Sequence, residues 1–295
     1  MPKPLTSLTA NSRAALLAVA VATVLTVAKF TLALVTGSLA VLASAVDSLL
    51  DISITAVNYF TIQAAARPPD ADHRYGHGKF EAFASLIQAI LIVLSGSYLG
   101  YLAIMRLLSP AALEYETWGL AVMAISMLAS GLLAWYLARV VRRTDSMVLR
   151  AEAANFRADT LANLAVIIGL GIVSFTGNTT ADAVVSLLMA GYIIFSAWSL
   201  LVECYDVLTD RELPDEVRRQ IIGVIESTAS DVVQGWHQLR TRRAGSQLHI
   251  DFHLHFIKGI SLYDAHAATD VIEKKLEASF PDATVLIHLD PGPED

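Results

Sequence analysis

Asp47 and Asp51 stand one helical turn apart in the run Leu39-Ala-Val-Leu-Ala-Ser-Ala-Val-Asp-Ser-Leu-Leu-Asp-Ile-Ser-Ile-Thr-Ala-Val57, which is otherwise mostly apolar or small. Carboxylates at i and i+4 share a helix face and repel each other unless protons or a cation neutralise them. At membrane depth each ionised group costs about 2.5 kcal/mol or more. A second apolar stretch carries Asn155 and Asp159 at the same spacing. Four oxygen-bearing side chains on two helices therefore form a candidate cation site inside a bilayer. Oxygen donors alone favour hard ions such as magnesium, calcium or manganese. Polar glue between helices is the plainer alternative, but it accounts for single Asn or Ser residues better than for three carboxylates.

Two other groups could ligate metal. The loop Asp70-Ala-Asp-His-Arg-Tyr-Gly-His-Gly-Lys79 places His73 and His77 four apart, just after Asp70 and Asp72. Imidazole with carboxylate suits zinc, iron or nickel, although a solvated loop can have the same composition. Six of the eight histidines lie near the C-terminus: His237, His249, His253, His255, His266 and His288. From Leu248 to Phe256 the chain alternates. Leu248, Ile250, Phe252, Leu254 and Phe256 face one way, and His249, Asp251, His253 and His255 the other. Asp290 follows His288 by two residues, on the same strand face. A polar sheet face is one reading and a metal site the other.

These groups need elements to position them. The chain has 295 residues, 55% of them hydrophobic and 17% charged, with a mean hydropathy of +0.53. Soluble domains carry roughly 25% charge, so a membrane protein is expected. The net charge of −7 argues against a nucleic-acid partner. Cys204 is the only cysteine, which rules out an intrachain disulfide framework and leaves it a structural residue. Met1-Pro-Lys-Pro opens no cleavable signal pattern, so the first apolar run is expected to be a retained span. A span needs about 20 apolar residues. Six such stretches are expected near 13–35, 39–65, 80–108, 118–140, 148–174 and 180–203. Gly37-Ser38, Pro68-Pro69, Pro110 and Gly177-Asn178 punctuate them.

Basic residues cluster at Lys3 and Arg13, at Arg67, Arg74 and Lys79, and at Arg139, Arg142, Arg143 and Arg150. The alternate loops are nearly free of them, Arg106 being the main exception, so both termini are expected in the cytoplasm. Lys29, deep in the first span, is expected to snorkel outward. From about Asp206 the character changes. Pro214 is placed to open a helix with Asp215 and Glu216 in its first turn. A strand over 232–242, a strand over 248–256, a helix over 262–279 and a strand over 283–289 complete an α-β-β-α-β order, which suits a two-layer α+β domain. The expected division is 1–207 for the membrane domain and 208–295 for the second.

The motifs Gly37-Ser-Leu-Ala-Val-Leu-Ala-Ser-Ala-Val-Asp-Ser-Leu-Leu-Asp51, Asp72-His-Arg-Tyr-Gly-His-Gly-Lys-Phe-Glu81, His237-Gln-Leu-Arg-Thr-Arg242 and Ile287-His-Leu-Asp-Pro291 occur in this order. Together they resemble the cation diffusion facilitator family over essentially the whole chain. The resemblance implies an α-helical membrane protein of six transmembrane helices with a C-terminal ferredoxin-like, metallochaperone-like cytoplasmic domain. It implies a homodimer in a bacterial inner membrane that exports divalent metal in exchange for protons. It places the transport site on Asp47, Asp51, Asn155 and Asp159, and a loop site on Asp70, His73 and His77. It places a cytoplasmic binuclear site on His237, His253, His266, His288 and Asp290, with Asp290 bridging. It pairs Lys79 with Asp210 in a salt bridge that stabilises the subunit contact. His249 and His255 gain no role from it and stay with the polar-face reading.

In one respect the chain departs from the family. Zinc-transporting members have His where this chain has Asn155, and Asn is a neutral, weak oxygen ligand that carries no proton. Zinc and ferrous iron are the expected cargo, and the departure brings in manganese, cobalt and cadmium. Two other classes remain open at this stage: a passive cation channel, which needs a continuous polar stripe, and a membrane-bound metal sensor that transports nothing. No His-Glu-x-x-His pattern occurs, so a metallohydrolase is not expected.

Overall fold

The computed structural model describes residues 5–36, 39–108, 117–176, 179–245, 247–281 and 283–292. Gly37-Ser38, Pro110 and Gly177-Asn178, expected as punctuation, lie outside them. Six long helices come first: α1 Leu5–Thr36, α2 Leu39–Ala65, α3 Lys79–Leu108, α4 Thr117–Thr144, α5 Met147–Thr176 and α6 Thr179–Leu208. α2 keeps its expected bounds, α3 gains one residue, and the other four extend further, because charged or polar residues at helix ends lower hydropathy without breaking the backbone ladder. Among the described residues, α1, α3, α4, α5 and α6 are long and apolar enough to cross a membrane. α2, with 27 residues, carries the acidic pair. Contacts divide the chain into two compact units, Pro2–Tyr205 and Asp206–Asp295.

Small residues let the membrane helices approach one another. Ala14, Ala15, Ala18 and Ala22 of α1 form a buried stripe against Leu133 and Leu137 of α4 and Val148, Leu149 and Phe156 of α5. A Cβ on Gly96 of α3 would lie 3.0 Å from the Ile194 side chain of α6. Leu34, Phe175 and Phe195 are exposed, as lipid-facing residues should be. α1 and α2 are also tied by polar bonds. Thr26 donates to the Ser48 carbonyl at 3.0 Å, and Lys29 Nζ donates to Ser48 Oγ at 2.7 Å. The expected outward snorkelling of Lys29 is therefore corrected: its ammonium turns inward, because α2 offers a hydroxyl within reach.

The second unit contains α7 Asp215–Thr228, β1 Val233–Ala244, β2 Gln247–Phe256, α8 Leu262–Ser279 and β3 Ala283–Pro291. Pro214 precedes α7, whose first turn holds Asp215 and Glu216. Ser261 caps α8 by accepting from the Asp264 amide. The sheet order is β1-β2-β3, with β1 antiparallel and β3 parallel to the central β2. The β2-α8-β3 crossover supplies the parallel pair. Ile250, Phe252, Leu254 and Phe256 of β2 pack with Ile221 and Ile225 of α7 and with Ile272 and Leu276 of α8. Each such side chain contributes about 1.5–3 kcal/mol relative to exposure. Both helices thus cover one sheet face. A ferredoxin-like description fits this arrangement, and the other face is left to the histidines.

Candidate metal centres

In the membrane unit α2 packs on α5. Asn155 Nδ2 donates to Asp51 Oδ1 at 3.4 Å, so the 104-residue separation closes to a contact between two half-buried groups. Asp159 lies one turn further along α5, and its backbone carbonyl accepts from Asn163 at 2.8 Å. Asp47 belongs to α2, one turn before Asp51; its side chain lies outside the described residues.

The polar lane does not stop at this depth. Glu152, one turn before Asn155, is 1% exposed. Thr55 and Asn58 of α2 donate to its two carboxylate oxygens, and Gln88 of α3 donates at 3.2 Å. Asn58 also donates to Gln88 Oε1 at 2.8 Å. One carboxylate thus joins three helices through neutral donors. Its only trace in the sequence is spacing along single helices: Thr55 and Asn58 follow Asp51 at i+4 and i+7, and Glu152 precedes Asn155 by three.

The loop before α3 gathers its three candidates. His77 Nε2 lies 3.2 Å from Asp70 Oδ2, and His73 Nδ1 lies 3.4 Å from Asp70 Oδ1. The turn holds them there. Asp70 Oδ1 accepts from the backbone N–H of His73 at 2.7 Å and of Asp72 at 3.0 Å. Those bonds, that of His73 first, hold the Asp70 carboxyl below its ordinary value. Gly76 takes a φ of 79°, which glycine tolerates without strain. His77 is buried against Phe80, with ring centroids 5.7 Å apart. Lys79 opens α3, while Asp210, at φ 57°, accepts from Arg242 at 3.3 Å. The two residues belong to different units.

On the open sheet face the three strands bring five ligand-type residues together. His237 pairs with His253 across β1 and β2. His253 and His255 pair with His288 and Asp290 across β2 and β3. Asp290 is the hub: Oδ2 lies 2.9 Å from His253 Nδ1 and 3.5 Å from His237 Nε2, and Oδ1 lies 3.2 Å from His288 Nε2. The His253 hydrogen bond, with help from the His288 and His237 imidazoles, holds the Asp290 carboxyl below its ordinary value. Ligand atoms of His237, His255 and Asp290 lie within 4.8 Å of one another, and so do those of His253, His288 and Asp290. Beside them Gln238, Arg240 and Leu286 line a hollow of about 210 Å³ that reaches His253 and His288. His266 stands apart on α8, 3.6 Å from Asp270, and belongs to neither group. His249 is buried in register with Arg242 and Thr284, also outside both groups. His255 is the residue that sequence reasoning left aside.

Apolar helices with inward carboxylates, joined to a sheet domain with a histidine-carboxylate face, define a multi-pass membrane protein built to handle metal ions. Comparison with known proteins makes this specific. Residues 15–209 match the cation efflux transmembrane domain, and residues 213–292 match the cytoplasmic domain of cation efflux proteins. The chain is 36% identical over 280 residues to the cation-efflux pump FieF of Shigella flexneri serotype 5b (strain 8401), covering 95% of this chain and 92% of that one. It is 37% identical over 278 residues to FieF of Serratia proteamaculans (strain 568), covering 94% and 92%. A solved CzrB structure is 30% identical with a TM-score of 0.27, covering 28% of this chain and 99% of that one. The chain belongs to the cation efflux (cation diffusion facilitator) family. It is a divalent metal cation efflux transporter and not an enzyme.

Proposed function

We propose that this chain exports a divalent metal ion from the cytoplasm in exchange for protons, as a homodimer with both termini in the cytoplasm of a bacterial cell. The single observation that carries the reading is the meeting of Asp51 and Asn155 between apolar helices, with Asp159 one turn beyond and Asp47 one turn before. Clustered carboxylates at membrane depth need a cation or protons, and the two compete for the same oxygens. Metal entering from the cytoplasm displaces protons from Asp47, Asp51 and Asp159. After the helices rock outward, external protons displace the metal and reset the site. Zinc and ferrous iron are the proposed cargo, with manganese, cobalt and cadmium admitted by Asn155.

The histidine face of the second unit is proposed to bind metal as a load sensor and to favour the dimer packing that transports. Its donor set of neutral imidazoles and a carboxylate suits zinc. The loop group Asp70, His73 and His77 is a third, surface-facing metal position. The proposed subunit-stabilising salt bridge uses Lys79 and Asp210.

The test is metal-driven proton flux into proteoliposomes that carry a pH-sensitive dye. Asp51→Ala and Asp159→Ala should each abolish it while leaving a monodisperse dimer, because each removes a ligand and a proton carrier together. Retained flux in the Asp159→Ala protein would overturn the reading. Flux of metal without proton movement would point to a channel instead.

A further inference from the structure

We infer that His255 is a metal ligand of the binuclear centre that the resemblance places on this sheet face, joining His237 and Asp290 at one ion while His253, His288 and Asp290 hold the other. The inference rests on the proposal that this sheet face binds metal, and it changes the ligand set. The family resemblance draws its fifth ligand from His266. In this structure His266 lies on α8, which packs on the opposite, apolar face of the sheet, and its nearest carboxylate is Asp270.

Three observations converge on His255. The first is register. β2 is parallel to β3, so His255 stands opposite Asp290 just as His253 stands opposite His288. His237 is opposite His253 on the other side of β2, which brings it beside both histidines of the central strand. A bulge follows it, with Gln238 at φ 52°. The second observation is distance. The His237 and His255 rings stack with centroids 4.4 Å apart and planes 15° from parallel, and each offers a nitrogen within 4.8 Å of the other and of an Asp290 oxygen. The third is an unmet bond. Nδ1 of His255 and Nδ1 of His237 are buried, and neither has a hydrogen-bond partner. A ring nitrogen is rarely left in that state; a metal bound at that nitrogen would satisfy it, whereas one bound at Nε2 would leave it an N–H donor in need of an acceptor.

Each group supplies three ligands, and the carboxylate they share can place one oxygen on each ion. Three protein ligands leave a fourth tetrahedral position on each ion for water or another donor.

The test uses the full chain in detergent with Asp51→Ala, Asp159→Ala, His73→Ala and His77→Ala as background, so that the sheet face is the remaining metal site. Zinc bound per chain is measured by equilibrium dialysis at fixed free zinc, and the imidazole count by zinc-edge X-ray absorption. The background protein should bind about two ions, one for each group. His255→Ala and the polar, shape-keeping His255→Gln should each bind about one, the lost ion binding more than about 10-fold more weakly. His266→Ala should keep both. Two ions at unchanged affinity in both His255 variants would overturn the inference. So would loss of both ions in both variants, because the second group contains no His255. A background protein that binds no zinc would instead overturn the proposal that this face binds metal at all.

Discussion

An amide takes up no proton and gives a metal ion only a weak, neutral oxygen, so Asn155 is proposed to shape both the cargo and the proton count. Its contact with Asp51 places it where a harder, all-oxygen coordination would form. Asn155→His should shift selectivity toward zinc, since imidazole is the better zinc ligand and acts through softness and geometry. It also adds a group that titrates near neutral pH, so proton release per metal should rise or become more dependent on pH. The check is the initial transport rate for zinc, iron and manganese in both proteins at matched free metal and pH. Unchanged zinc-to-manganese and zinc-to-iron ratios would mean that Asn155 does not touch the ion. At this scale the sequence was readable where spacing alone brings groups together, as for His288 and Asp290, whose side chains lie 3.2 Å apart.

Spacing fails where the partners lie on different elements. His249 and His255 both alternate onto the polar face of β2, and nothing in the strand's own sequence separates them. Parallel pairing does so, by setting Asp290 against His255 and Thr284 against His249. Glu152 was hidden for a related reason. A lone acid near the start of α5 reads as a polar helix flank until α2 and α3 bring Thr55, Asn58 and Gln88 to it. The knot they form predicts the mechanical behaviour of these helices. Glu152→Ala would leave three buried donors without their acceptor. Orphaned groups cost about 1–3 kcal/mol each in water-soluble proteins, and intramembrane hydrogen bonds average about 0.6 kcal/mol. A loss of about 2 kcal/mol is therefore expected, seen as a lower thermal unfolding midpoint in detergent. Gln88→Leu should cost less, since Thr55 and Asn58 keep their bonds to the carboxylate. Equal midpoints for wild type and Glu152→Ala would show that the knot holds nothing together.

At the scale of the molecule, the two units answer to different variables. The membrane unit is proposed to exchange metal for protons, and the sheet unit to report how much metal is present by tightening the dimer. Histidines bind metal only when neutral. Asp290, held below its ordinary value chiefly by the His253 hydrogen bond, stays ionised throughout the range in which histidines protonate. The sign follows: a depressed carboxyl keeps its contribution above its unfolded value and loses it only in strong acid. Loss of metal on acidification should therefore come from proton competition at the histidine ligands and not from Asp290. Sedimentation of the full chain in density-matched detergent, with and without zinc, should show dimer tightening at pH 7 that fades as the pH is lowered. Zinc-independent association at pH 7 would count against a sensing role.

The strands that carry these ligands also bear on how the domain folds. His237, His253, His255, His288 and Asp290 come from three strands at adjacent pairing positions. Slipping one strand by a single residue turns its side chains to the other face. A mispaired strand would thus bury imidazole against Phe252 and Leu254 and leave nothing for an ion to hold. A metal ion bound at the proposed site would act as a proofreader of strand pairing, favouring the one alignment in which its ligands converge. A chain refolded without metal would lack that check, and β3 would have to find its register on β2 from its apolar face alone.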